Sequence, residues 1–330
     1  MAAALGLAER GRGRTCPNPP VGCVLVKDGR VVGRGWTQPG GRPHAEAIAL
    51  DQAREAARGA TAYVTLEPCA HASPRGPACA GLLAEAGVAR VVAALRDPDP
   101  RTDGTGLARL QAAGVTVTAG ISASAARRSM TGWLTRRTLG RPLVTLKLAM
   151  SLDGCIALAS GESRWITGPE ARAHAHVERT RHEAILVGRG TWAADRPTLD
   201  VRLPGLEERS PQRVVLSSRH PRESGDDDVL WLDAPEQVAT LAADHLLIEG
   251  GAQTAAAFLK AGLVDRLLLY RAPILIGGGM PAIAALDMTA LTQAHGRWHL
   301  YDARQLGADR LEVYERTALS GEVRTTFPPG

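Results

Sequence analysis

The chain has 330 residues, 45% of them hydrophobic and 22% charged, a balance that suits two ordinary folded domains and excludes a disordered chain. Its net charge of +5 is uneven: residues 1–140 carry 18 Lys/Arg against 10 Asp/Glu, and the remainder carries 21 against 24. No run approaches the roughly 18 consecutive apolar residues of a membrane span. The opening MAAALGLAERGRGRT puts its apolar run ahead of its arginines, the reverse of a secretory leader.

The first 120 residues read as alternating strands and helices. VGCVLVKDGRVVGRGW (21–36) is a hairpin turning at Lys-Asp-Gly-Arg. Residues 44–58 form a helix, 61–66 a strand, 79–87 a helix ending at a glycine, and 89–95 a strand. GLARLQAAG and VTVTAG repeat the helix–glycine–strand unit, so a layered α/β domain is expected. Residues 122–139 read as an Ala/Arg-rich helix. Gly140-Arg141-Pro142 then interrupts the chain, and the domain boundary is placed near 140: residues 1–140 and 141–330. The second half alternates again, with strands at 142–150, 183–188, 213–218, 228–232 and 245–251. A helix follows at 254–262, and 265–279 is a strand running into a glycine turn. There is no internal repeat, and the tail TTFPPG reads as frayed. Aromatics are 4% of the chain, so both cores must be built from Ala, Val, Leu and Ile.

Five cysteines, an odd number scattered through the chain, argue against a disulfide framework and for thiols that are reduced or metal-bound, in a cytoplasmic protein. Two of them belong to the strongest pattern present. His44-Ala45-Glu46, then Pro68-Cys69, then Cys79, follow the H-x-E…P-C…C order of zinc deaminases. One imidazole and two thiolates bind Zn²⁺ tetrahedrally and leave the fourth position to water. Glu46, not a ligand, would carry that water's proton to the ring nitrogen and the leaving ammonia. Pro43 suits a first helical turn, which sets His44 and Glu46 at a helix start, and Cys79 opens the next helix, where the dipole favours a thiolate. Taken singly, a histidine is usually an ordinary hydrogen-bonded residue, and two cysteines are usually buried thiols. Their joint order, each between a strand and a helix, favours the metal. His71 is left open as a competing ligand or a substrate contact. Cys16, Cys23 and Cys155 read as small buried residues.

In the second half, Glu249-Gly250-Gly251 between a strand and a helix could cradle a phosphate, or could simply be a tight turn. Arg164, Arg179, Arg181, Arg189, Arg196 and Arg202 could hold phosphate groups, or could be a solvated face.

GRGRTCPNPPVGCVLVKDGRVVGRGW, HAEAIAL and TLEPCAHASPRGPACA resemble the deaminase half of the bifunctional riboflavin-biosynthesis deaminase–reductases. TLKLAMSLDG, SGESRWITGPEA, AILVGRGTWAADRPTLDVRLPG and LIEGGAQTAAAFL resemble the reductase half, and the matches run through nearly the whole chain in order. The resemblance implies a cytidine-deaminase-like three-layer first domain and a dihydrofolate-reductase-like second one. It implies zinc on His44, Cys69 and Cys79, with Glu46 as proton shuttle and Asn18, with His71, against the pyrimidine. It sets ribose phosphate and pyrimidine near Ser163, Arg179, Leu199, Arg202 and Glu249. NADPH would lie near Ala149, Trp165, Thr191, Asp195, Ser217 or Ser218, and Gly251, Ala252, Gln253, Thr254, Ala255, Ala256 and Ala257. Lys147 and Asp195 would steer protons at the reacting centre.

Two departures from the family pattern stand out. Nine residues separate Cys69 from Cys79 where many members have eight, and the loop from Ala72 to Pro77 should absorb the extra one. Arg196 stands where the family has Asp or Asn. The implied substrate is a small phosphorylated pyrimidine, deaminated and then reduced from ribosyl to ribityl. Neither nucleic acid nor membrane is an expected partner, and the family suggests a homodimer through the reductase half. A polynucleotide deaminase would suit the basic first half but leaves residues 141–330 unexplained and lacks aromatics to stack on bases. A deaminase whose second half only binds NADPH or regulates is the nearer alternative.

Overall fold

The computed structural model describes residues 1–71, 74–218 and 228–317, so the tail TTFPPG and the loop residues Ala72 and Ser73 lie outside the described residues. The chain divides into two compact units between Leu134 and Thr135. Among the described residues no helix is long and apolar enough to cross a membrane.

The first unit runs α1 (Ala2–Ala8), β1 (Gly22–Lys27), β2 (Arg30–Trp36), α2 (Ala45–Ala53), β3 (Thr61–Val64), α3 (Cys79–Glu85) and β4 (Arg90–Ala93), then α4 (Thr105–Ala112), β5 (Thr116–Ala119) and α5 (Ala123–Ser129). α6 (Thr131–Leu139) carries the boundary. The sheet order is β2-β1-β3-β4-β5, antiparallel across the hairpin and β1/β3, parallel beyond. The core is aliphatic, as the shortage of aromatics requires, and alanine sets its spacing. Ala45, Ala49 and Ala53 form the buried stripe of α2 and lie on the glycines of β2. A Cβ at Gly35 would stand 2.2 Å from the Ala45 carbonyl oxygen, and one at Gly33 2.1 Å from that of Ala49. Helix and strand therefore touch backbone to backbone, which fixes where α2 starts and so where His44 and Glu46 stand.

Two helices differ from the reading. α2 ends at Ala53 because Arg54 takes a positive φ of 47°, and a short 3₁₀ turn follows. The helix expected over 122–139 breaks at Met130 (φ −110°), whose side chain is turned into the core with Ala126 and Trp133.

The second unit runs β6 (Leu143–Met150), β7 (Cys155–Ala157), α7 (Pro169–Arg179), β8 (Ala184–Gly188), α8 (Arg189–Asp195), β9 (Gln212–Leu216), β10 (Leu230–Leu232) and β11 (His245–Ile248). α9 (Ala252–Lys260), β12 (Arg266–Arg271), β13 (Met280–Pro281), β14 (Trp298–Leu306) and β15 (Asp309–Arg316) complete it. Its eight-stranded sheet has the order β10-β9-β8-β11-β6-β12-β15-β14, parallel except at β12/β15 and β15/β14. Every residue of β8 and β11 is buried, the near-continuous apolar run of a parallel strand covered on both faces. The sequence reading missed α7, whose buried stripe is Ala171, Ala175 and Glu178 amid charges. It also missed β14, whose mostly exposed residues lack the apolar alternation that marks a strand.

Candidate functional site

In the first unit two helix starts and one turn converge. His44 is the N-cap of α2, in extended backbone just after Pro43, and Cys79 is the first residue of α3. The Cys79 N–H donates to Cys69 Sγ at 3.3 Å. His44 Nδ1 is 3.3 Å from Cys79 Sγ and 3.7 Å from Cys69 Sγ, and the three donors lie within 4.8 Å of one another. Tetrahedral zinc sets nitrogen and sulfur ligands about 3.6 Å apart, so the donor set fits the ion in kind and in spacing. The long step from Cys69 to Cys79 leaves the donors together.

Glu46, 3% exposed, stands beside them. Burial raises its pKa most, the neighbouring Cys69 adds to the rise, and His44 pulls the other way. The hydrogen bond from the Cys79 thiol lowers the Cys69 pKa, and burial opposes it. The Asn18 amide nitrogen donates to the Gly41 carbonyl at 2.8 Å and lies 3.0 Å from His44 Nε2. His71 Nδ1 is 3.4 Å from the Oγ1 of buried Thr102, and His71 is not among the gathered donors. Cys23 and Cys155 are buried as expected; Cys16 is half-buried.

Sequence reasoning passed over Glu67, which holds this turn in place. Its carboxylate, 2% exposed, accepts the backbone N–H groups of Asp97 (3.1 Å), Gly104 (2.9 Å), Gly106 (2.9 Å) and Leu107 (3.1 Å). It thus satisfies the orphan donors at the start of α4 and ties that start to Pro68-Cys69. Its place directly before the Pro-Cys pair was the available signal.

Among the described residues, two cavities of the second unit lie at the carboxyl ends of its parallel strands, where open α/β sheets bind ligands. The larger, about 720 Å³, is lined by Thr191, Ser217, Ser218, Gly251, Ala252, Gln253, Thr254 and Ala257 among others. Ala255 and Ala256 are on the inward face of α9, buried at 0% and 3% exposure. Ala149 packs beside Tyr270, and Trp165 lines the other cavity.

That second cavity, about 430 Å³, contains Lys147, Arg179, Arg202, Glu249, His176 and Tyr270. Arg179 grips Glu249 with two bonds (2.8 and 3.0 Å), and Lys147 Nζ lies 3.5 Å from the same carboxylate. The two cations overcome the cost of burial and hold the Glu249 carboxyl down at about 2. Lys147 also faces the Tyr270 ring at 5.8 Å. Asp195 pairs with Arg164 at 3.2 Å, its side chain 44% exposed. Ser163 is exposed, and Leu199 is buried with Trp192 and Val215. Arg196, the C-cap of α8 with φ 41°, lays its guanidinium 5.7 Å from the Trp192 ring. His176 and Tyr270 escaped the sequence reading because α7 was unread, and because only strand register brings Tyr270 opposite Ala149, two residues past Lys147.

Comparison with known proteins accounts for both halves. Residues 1–95 match the family of the cytidine and deoxycytidylate deaminase zinc-binding region, and residues 142–310 match the RibD C-terminal domain. The riboflavin biosynthesis protein RibD of Escherichia coli is 41% identical over 94% of this chain and 96% of its own. The structure of Acinetobacter baumannii RibD superposes with a TM-score of 0.87 at 38% identity, covering 96% of this chain and 98% of that one. A Thermotoga maritima diaminohydroxyphosphoribosylaminopyrimidine deaminase/5-amino-6-(5-phosphoribosylamino)uracil reductase gives 0.85 at 30% identity, covering 96% and 97%.

Proposed function

The chain belongs to the RibD family, the bifunctional deaminase–reductases of riboflavin biosynthesis, and we propose that its two units act in turn on one phosphorylated aminopyrimidine. The first unit removes an amino group from 2,5-diamino-6-(ribosylamino)pyrimidinone 5′-phosphate. His44, Cys69 and Cys79 would hold zinc, which would supply Lewis acidity to a bound water. Glu46 takes one proton from the water and gives it to the ring nitrogen, then carries the second, from the hydroxyl left on the ring carbon, to the amino group that departs as ammonia. Its burial beside the ligand set gives the carboxyl an affinity for a proton suited to that exchange. The Asn18 amide and His71 orient the pyrimidine at the rim of the ligand cluster.

The second unit, dihydrofolate-reductase-like, reduces the ribosyl group of the deaminated product at its anomeric carbon. NADPH would occupy the larger cavity, with Thr191, Ser217 and the start of α9 around it, and it supplies the hydride. The substrate fills the smaller cavity. Lys147, fixed by Glu249, delivers the proton that accompanies the hydride, and Arg202 meets the phosphate, with Arg179, Ser163 and Leu199 shaping the same site. The resemblance sets Ala149, Trp165 and Asp195 near the cofactor as well, and Trp165 lines the substrate cavity. A phosphorylated substrate explains the arginines without nucleic acid, and a cytoplasmic homodimer joined through the reductase unit completes the reading.

The observation that carries this reading is the convergence of His44, Cys69 and Cys79 within 4.8 Å, beside buried Glu46. The test follows NADPH oxidation with the diamino substrate. Wild type should oxidise NADPH, Glu46→Ala should not, and the deaminated intermediate should restore oxidation by the variant. If wild type oxidises no NADPH even with that intermediate, the reductase half of the reading fails.

A further inference from the structure

The smaller cavity of the second unit holds several guanidinium groups, and the protein itself already occupies most of them. Arg179 spends two nitrogens on Glu249 and the third on the Asp200 carbonyl (2.7 Å). Arg172 stacks 4.6 Å from the Trp165 ring and donates to the Thr167 carbonyl. Arg202 is held more loosely, 3.6 Å from Asp200, with its side chain 60% exposed. What is firmly held at Arg202 is its backbone. The N–H donates to His176 Nδ1 at 3.2 Å, and His176 stands one helical turn before Arg179 on α7. One face of α7 thus grips both ends of the segment 200–202: Arg179 takes the carbonyl and His176 takes the amide.

We propose that His176 is the positioning residue for the phosphate end of this cavity, its Nδ1 accepting the Arg202 N–H so that the Arg202 guanidinium meets the substrate's phosphate. The inference rests on the reading that a phosphorylated substrate fills this cavity. The residue type fits the task. An acceptor set between Arg179 and Arg202 must take an N–H without neutralising a cation meant for phosphate. A carboxylate there would pair with both guanidiniums. An imidazole accepts as a neutral group, and its environment keeps it so: burial lowers its pKa most, Arg179 and Arg202 lower it further, and Glu249 and a hydrogen bond with the Asp200 backbone oppose them.

The test compares His176→Leu, which has no acceptor, with His176→Asn, whose side-chain oxygen can take the place of Nδ1. Each is assayed for NADPH oxidation in the full chain with the deaminated intermediate, with and without its 5′-phosphate. His176→Leu should raise KM for the phosphorylated substrate about tenfold, the weight of one well-placed hydrogen bond. It should leave kcat and the KM of the phosphate-free substrate within about twofold, and His176→Asn should recover most of the loss. Unchanged reduction of the phosphate-free intermediate by the same variants reports that the second unit is folded. An equal rise in KM for both substrates, a fall in kcat in place of the rise in KM, or no recovery by His176→Asn would overturn the proposal. Arg202→Ala separates the two levels of the argument. If it abolishes the preference for the phosphorylated substrate while His176→Leu does not, the positioning role alone fails. If it leaves that preference intact, the phosphate reading fails and the proposal falls with it.

Discussion

The metal cluster of the first unit and the paired cavities of the second are built on opposite plans. The cluster is assembled from short contiguous strings, each fixed where an element begins: His44 caps α2, Cys79 opens α3, and Glu67 staples the Cys69 turn to the start of α4. The cavities gather residues from the ends of strands far apart in the chain, with Lys147 on β6, Glu249 after β11 and Arg202 in the loop before β9. A site of the first kind is held by helix placement. One of the second kind is held by sheet register and by charges that fix one another. The two should therefore fail separately and for different reasons.

The largest effect should come from removing one carboxylate at a time. Glu46→Gln should cut deaminase turnover by about 10³-fold and leave reduction of the deaminated intermediate within about twofold. Glu249→Gln, which leaves Lys147 and Arg179 side by side without their carboxylate, should do the reverse, lowering reductase turnover by about 10²-fold. Steady-state assays of both steps on each variant check this. Loss of both activities in either variant would erase the contrast.

Helix placement can be probed without touching a ligand. Gly35→Ala puts a methyl group 2.2 Å from the Ala45 carbonyl oxygen and must push α2 off β2. The expected cost is about 1–3 kcal/mol, confined to the first unit, together with weaker zinc retention in a chelator titration. An unchanged unfolding curve would mean that α2 is not held by that contact.

The charge-held site should show itself in acid. The Glu249 carboxyl is held near 2 against an ordinary value of 4.5, so its ionised form stabilises the fold above pH 4.5, and that contribution is lost as pH falls toward 2. It amounts to about 3 kcal/mol. Urea unfolding of the second unit at pH 5 and pH 3 should lose more stability in wild type than in Glu249→Gln, and equal losses would contradict the account.

The plan also decides what was legible beforehand. His44, Glu46, Cys69 and Cys79 could be read as one constellation because their order and flanking elements carry the chemistry. The place of Glu67 before the Pro-Cys pair was visible, but its role was not, because it accepts backbone N–H groups from residues some 30 to 40 positions away. In the second unit the Glu249-Gly-Gly turn and the arginines were visible, but their division of labour was not. The sequence does not reveal that Asp195 pairs with Arg164, or that His176 grips the Arg202 amide. That last contact stayed hidden because Pro169–Arg179 was not read as a helix.

The smallest effect concerns Arg196. It occupies a left-handed conformation, φ 41°, that Asn adopts more readily than Arg. Arg196→Asn should stabilise the second unit by about 0.5–1 kcal/mol in thermal unfolding, and a loss of stability would give the contact with Trp192 more weight than the backbone.

The central claim, two separate chemistries of which only the first needs the metal, is tested most directly by stripping zinc from the whole chain and following NADPH oxidation. The metal-free chain should oxidise NADPH with the deaminated intermediate at close to the untreated rate, show none with the diamino substrate, and recover the latter when zinc is returned. Loss of both reactions on stripping, or of neither, would contradict it.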